Sequence, residues 1–150
     1  MFKINYHSIW ALLNNKDSII FCATAKNEMG LSQTTNKIKV VPNANSEQLA
    51  YIILDTFSLC EKEPLINENN NAKIEECLGY SSWSKFINNH KLVQISNILD
   101  SKMYKFSPMK KTKGGYIRSN EDPTFRISLL ECNDEEILGK TLIKAFSYCT

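Results

Sequence analysis

The sequence predicts an α+β domain: a mainly antiparallel sheet with two amphipathic helices packed on it, in two similar strand–helix halves. Three observations predict it. Segments 49–57 and 137–146 repeat apolar residues at helical spacing behind capping residues. Several short runs alternate, or are rich in β-branched and aromatic residues. Asn, Gly and Pro punctuate them, and strands grouped apart from crossover-length helices favour α+β over a parallel sheet.

In order, Ser8 to Asn14 reads as a short helix or an irregular apolar entry around Trp10, Leu12 and Leu13. Asn14-Asn15-Lys16-Asp17 is a turn, and Ser18 to Thr24 is a β-rich run. Asn27 to Gly30 turns the chain again. Lys37 to Val41 then alternates charged and aliphatic residues, as a half-buried strand does, and Pro42 stops it. Asn45 or Ser46 caps the clearest helix. Leu49, Ile52, Ile53, Thr56 and Phe57 form one stripe that ends near Leu59 or Cys60. Glu61 to Lys73, with Pro64 and the Asn69–Asn71 tract, reads as a flexible connection within a single domain spanning 1–150.

Ile74 to Leu78 reads as a short helix stopped by Gly79, and Ser82 as the cap of a helix over Trp83–Asn88. Leu92 to Ile98 and Lys102 to Phe106 read as strands. Met109 to Gly115 is a Lys/Gly loop, and Thr124 to Leu130 an alternating strand. Asn133 or Asp134 caps the last helix, whose apolar positions are Ile137, Leu138, Thr141, Leu142, Ala145 and Phe146. An internal echo fits two similar halves, and strand–turn–helix units that merely share capping chemistry give the same pattern. Lys37 to Cys60 and Phe125 to Cys149 each read strand, Asn-x-Glu, amphipathic helix, Phe-Ser-x-Cys. Upstream, Tyr6-x-Ser8-x-Trp10 is similar to Tyr80-Ser81-Ser82-Trp83.

Composition excludes several classes. The chain has 150 residues, a net charge of +2 and sixteen asparagines; such a balance gives no overall nucleic-acid footprint. No apolar run approaches the roughly 18 residues of a membrane span. The first residues lack the features of a signal peptide, so a cytoplasmic protein is expected. The five cysteines are widely spaced with no CxxC pair, which fits reduced thiols better than a disulfide framework.

Chemistry-bearing patterns are sparse. His7 and His90 are isolated, and His90, beside Lys91, reads as a surface residue in a turn. HExxH, GxSxG and P-loop patterns are missing, and Gly114-Gly115 lacks phosphate-loop spacing. Glu75-Glu76 and Glu135-Glu136 are adjacent, and neighbours on a helix diverge by about 100°, so neither pair makes an acid/base dyad. Cys60 and Cys149 end apolar helices and read as packing residues. No enzyme activity, metal or cofactor is expected.

Charge is polarised. Lys85 to Arg118 holds eight basic residues and one acidic, whereas Ser119 to Glu136 holds six acidic and one basic. The basic stretch 102–118 carries Tyr104, Phe106 and Tyr116, which makes nucleic-acid binding the alternative function. A strand with one wet face explains the same pattern. Polarised surfaces also suit a charged protein partner.

The second half carries a recognisable pattern. Gly79-Tyr80-Ser81-Ser82-Trp83-Ser84-Lys85-Phe86 opens it, Tyr104-Lys105-Phe106-Ser107-Pro108 and Gly114-Gly115 follow, and the helix Glu136-Ile137-Leu138-Gly139-Lys140-Thr141-Leu142-Ile143-Lys144-Ala145-Phe146 closes it. Over most of residues 76–150 this resembles the immunity proteins of bacterial contact-dependent growth inhibition systems, the CdiI family. The first helix departs from the pattern, with Tyr51 where the later helix has Gly139. The resemblance implies a non-enzymatic inhibitor. Its partner would be the cognate toxin domain, often a nuclease, at the C-terminus of a secreted adhesin. A nuclease needs basic surfaces, so an inhibitor competes by presenting carboxylates. Glu121 and Asp122 lie in the loop-like connection Gly114–Pro123, with Tyr116 as aromatic anchor and Arg118 beside it. These four are the expected partner-binding residues, with the acidic segment 61–76 next in line.

Overall fold

A three-stranded meander opens the chain: β1 (Tyr6–Asn14), β2 (Ser18–Lys26) and β3 (Ser32–Pro42), followed by α1 (Ser46–Lys62). Two short helices, α2 (Ile74–Cys77) and α3 (Trp83–Asn89), lead into β4 (His90–Ile98) and β5 (Met103–Pro108). The hairpin β6 (Lys110–Thr112) and β7 (Gly115–Ile117) precedes β8 (Phe125–Ser128) and α4 (Glu136–Phe146). This computed structural model describes residues 6–99, 101–118, 123–131 and 134–149.

Among the described residues the main sheet has six strands in the order β3-β2-β1-β4-β5-β8, each antiparallel to its neighbours. That order is symmetric about the β1/β4 pair. On each side a meander runs outward to an edge strand, and a helix then returns across one face. The two strand–helix halves expected from the echo are therefore a topological fact. The upstream part of the echo is not. Tyr6 to Trp10 lies in β1, whereas Tyr80 to Trp83 leads into α3.

Both faces of the sheet are covered, unequally. On one face Ile9, Phe21, Val93, Ile95 and Phe106 meet Leu49, Ile53 and Phe57 of α1 and Leu138, Leu142 and Phe146 of α4. On the other, Leu12, Ile20, Cys22 and Leu92 are covered at one end by Ile74 and Phe86, with Trp10, Trp83, Met109 and Tyr116 packed around them. This double covering explains why β1 reads wrongly in the sequence. Ile9 and Ala11 serve one face and Leu12 the other, so the strand is an apolar run without alternation.

The capping expected for α1 is present. Asn45 accepts from the Gln48 backbone N–H at 2.8 Å while Gln48 Oε1 accepts from the Asn45 N–H at 2.9 Å. In α4 the Asp134 side chain accepts from the Glu136 N–H at 3.1 Å, and Asn133 lies outside the described residues. The connection 61–73 hydrogen-bonds to β2 and β3 through Pro64, Ile66 and Asn70. Asn70 is buried and its amide donates to the Leu65 carbonyl at 2.8 Å, while single bridges pair Leu65 with Lys26 and Asn71 with Thr35. Part of the expected Lys/Gly loop forms β6, paired with β7 from Lys110↔Ile117 to Thr112↔Gly115.

His90 is not a surface residue. It is 1% exposed, caged by Phe86 and Tyr80 at ring-centroid distances of 4.4 and 5.4 Å. Its Nδ1 lies 2.9 Å from the Phe86 carbonyl, so it carries the proton and donates, while the buried Nε2 has no hydrogen-bond partner among the described residues. Burial lowers its pKa, against the raising effect of the Phe86 carbonyl; Lys111 lowers it further. His7 is lowered too, first by burial, with Glu61 opposing and Lys26 assisting. Unfolding then takes up protons below the ordinary value of about 6.5, so stability is full above that pH and falls as pH drops through it. Urea unfolding at pH 7.5 and 5.5 is expected to show the loss, up to about 1.4 kcal/mol per pH unit for His90. His90→Phe is expected to reduce the slope; an unchanged slope would contradict the assignment.

Candidate functional site

On the second face of the sheet β1 and β2 bury Ser8, Thr24 and Lys26, and apolar groups cover the α3 end. Beyond it, alternation along each strand leaves a row of polar side chains pointing outward. Register aligns them: Ser96 pairs with Lys105 and Lys105 with Arg126, while Ser8, across from Ser96, is buried and hydrogen-bonded to Thr24. The next row pairs Trp10 with Gln94 and Gln94 with Ser107. A hollow of about 500 Å³ lies over these rows, lined also by Tyr6, Ile98, Met103 and Arg118. A second hollow of about 370 Å³ adjoins it through Gln94, lined by Trp10, Trp83, Met109 and Tyr116. Together they form one groove with a cationic end and an aromatic end.

The cationic end holds Lys105, Arg118 and Arg126. Lys105 and Arg126 stand directly opposite each other across β5 and β8, where like charges repel. Among the described residues no carboxylate forms an ion pair with any of the three, while Lys37, Lys39, Lys73 and Lys140 pair with Glu63, Asp55, Glu76 and Glu136. Arg118 donates to Thr124 Oγ1 at 2.5 Å. Burial, then Arg118 and Arg126, hold the Lys105 pKa below its usual value. Behind Tyr6 lies a fourth cation: buried Lys26 sits 3.5 Å from the Tyr6 ring centroid and donates to Ser32 Oγ at 2.9 Å. Hydrogen bonding to Lys26 is the main cause that lowers the Tyr6 pKa. Neutralising Lys105 should relieve repulsion without opening a cavity. Lys105→Gln is expected to leave the melting temperature unchanged or raised, and a clear fall in a thermal melt would contradict the uncompensated cluster.

Of the four residues expected to bind a partner, Tyr116 and Arg118 line this groove from opposite ends. Glu121 and Asp122 lie outside the described residues. Tyr116 has a structural task as well. It is half-buried, its hydroxyl donates to the His90 carbonyl at 2.9 Å, and its ring lies 6.3 Å from Trp10 and 6.2 Å from Trp83. Trp83 Nε1 donates to the Gly114 carbonyl at 3.0 Å, so these rings clamp the β6–β7 hairpin to α3. Tyr116→Ala is therefore expected to cost about 2–3 kcal/mol of stability, toward the low end for a packed aromatic. Tyr116→Phe, which loses only the hydrogen bond, should cost about 1 kcal/mol. Equal melting temperatures for wild type and Tyr116→Ala would remove the clamp. The second acidic set is partly engaged, Glu63 with Lys37 at 3.5 Å and Glu76 with Lys73 at 4.0 Å.

Cys22, Cys60 and Cys149 are buried, and Cys77 is exposed. Burial pushes the Cys22 thiol up to about 12 and the Cys60 thiol to about 11, so both stay protonated and pack as small apolar groups. Among the described residues no three His, Cys, Asp or Glu side chains gather as a metal site, and no helix is long and apolar enough to cross a membrane.

No protein-family model matches this chain, and no curated protein matches it in sequence. Solved structures do match in shape. A protein of unknown function from Neisseria meningitidis superposes with a TM-score of 0.73 at 16% identity, over 100% of this chain and 99% of its own. A chain of the CdiA-CT/CdiI toxin and immunity complex from Yersinia pseudotuberculosis superposes with a TM-score of 0.67 at 12% identity, over 98% of this chain and 99% of its own. Superpositions at these TM-scores over nearly the full length of both chains show a common fold.

Proposed function

We propose that this protein is an immunity protein that binds a toxin domain and neutralises it by occupying its surface. The observation that carries the reading is the end-to-end fold likeness to a chain of a toxin and immunity complex, 98% of this chain against 99% of that one. Sequence adds to it through the Tyr104–Pro108 and Glu136–Phe146 segments, which resemble the CdiI family. The site chemistry suits binding better than turnover. His90 is buried against a carbonyl, the Cys22 and Cys60 thiols are held protonated, and the groove offers cations and hydroxyls without a paired base. In this reading the protein acts in the cytoplasm, needs no cofactor, and its partner is the C-terminal toxin domain of a secreted adhesin, a nuclease being the expected activity.

The test is a search of the neighbouring reading frames for a secreted adhesin, then co-expression of this chain with its C-terminal domain and size-exclusion chromatography. A stable complex of fixed stoichiometry is the expected result. Two separate peaks at micromolar concentration would refute the reading.

A further inference from the structure

We propose that the groove on the open face of the sheet is the partner-docking surface, and that the segment it receives from the toxin is acidic. This inference rests on the toxin-binding reading. It reverses the polarity expected from the sequence, in which carboxylates of this chain meet a basic partner.

Charge complementarity carries the argument. Lys105, Arg118 and Arg126 converge on one hollow of about 500 Å³, and among the described residues none has a carboxylate partner. Two of them face each other directly across β5 and β8. A folded chain tolerates such repulsion at a cost, and an arriving carboxylate removes it with charge-assisted hydrogen bonds. The two arginines offer planar forks that grip a carboxylate at two points. Ser96 beside Lys105 adds a hydroxyl. Exposed Ile98 supplies an apolar wall, and the mix of Arg, Tyr and aliphatic groups is that of a binding hot spot.

A protein segment fits these features better than a nucleic-acid strand. Single-strand binders spread cations along a track and present free aromatic faces for bases. Here the cations are gathered in one hollow, and the aromatic faces are in use. Trp83 is stacked on Phe86 at 5.3 Å, and Trp10 and Tyr116 are packed against Trp83 at 6.4 and 6.2 Å.

The experiment titrates wild type and the double variant Lys105→Gln, Arg126→Gln with three probes: the toxin domain, a deca-glutamate peptide and a ten-residue oligothymidylate. Circular dichroism and a thermal melt check the variant's fold. The expected result is a folded variant that binds toxin at least about tenfold more weakly, about 1.4 kcal/mol. Deca-glutamate should compete with toxin on the wild type where oligothymidylate does not. Toxin binding of unchanged affinity by the variant would overturn the groove while leaving the toxin reading intact. Failure of deca-glutamate to compete would overturn the acidic segment. Oligothymidylate bound by wild type and lost in the variant would make the groove a nucleic-acid site. Wild type that binds no toxin would overturn the toxin reading and this inference with it.

Discussion

Leu142→Ala is expected to destabilise the protein by about 2–5 kcal/mol. Leu142 is fully buried in the core shared by α4, α1 and the sheet, where Leu138, Leu49, Ile53 and Phe106 leave it no exposed surface. Truncation loses the transfer energy of three carbons and leaves a cavity that two packed helices cannot close. For a chain of this size each kcal/mol moves the melting temperature by about 2–4 °C, so the shift is measurable by a single thermal melt. Leu142→Met, which nearly keeps the volume, should cost less than about 1.5 kcal/mol. Similar melts for wild type and Leu142→Ala would mean that α4 does not carry the core.

Gly139→Ala is expected to be the second large loss, although alanine is about 1 kcal/mol the better helix former. The close approach that this glycine implies is made by α1, and not by the sheet. A Cβ at position 139 would meet the Ser46 backbone, 2.7 Å from its carbonyl carbon, 2.9 Å from its Cα and closer still to its carbonyl oxygen. Backbone at a capped helix start cannot step aside as a flexible side chain would. Ser46 is held further by its hydroxyl, which donates to Glu136 Oε1 at 2.6 Å. Overpacking of this kind costs about 1–3 kcal/mol, and leucine at the same position should cost more. A stability for Gly139→Ala equal to or above wild type would show that the helix crossing has room.

These two residues also show what the sequence reveals and what it conceals. Both amphipathic helices were legible, because each packs a single stripe on one face of the sheet and so keeps its period. The edge strand β3 was legible for a similar reason: Lys37 and Lys39 remain at the surface, where they pair with Glu63 and Asp55. β1 was not, because the centre of the sheet is buried on both sides and a two-sided strand has no alternation to read. His90 was misread because a polar residue beside a lysine resembles a turn, and only the fold places the Phe86 carbonyl against its Nδ1.

The site follows the same logic. Tyr116 and Arg118 could be chosen from local composition, and both line the groove. Lys105 lies in the basic stretch 102–118, but Arg126, Ser96 and Tyr6 could not be chosen with it, because they come from three other strands. Only register brings Lys105 opposite Arg126 and Ser96 opposite Lys105. The signal available in the sequence was a cation at an outward position of each of two strands, and it takes meaning only once those strands are paired.

Growth reads out neutralisation of a toxin. Induction of the cognate toxin domain that the proposed function calls for should arrest growth in a susceptible cell, and co-expression of this chain should restore it. Co-expression of Leu142→Ala at a temperature above its melting point should not. Continued arrest in the presence of folded, soluble wild-type protein would contradict the account.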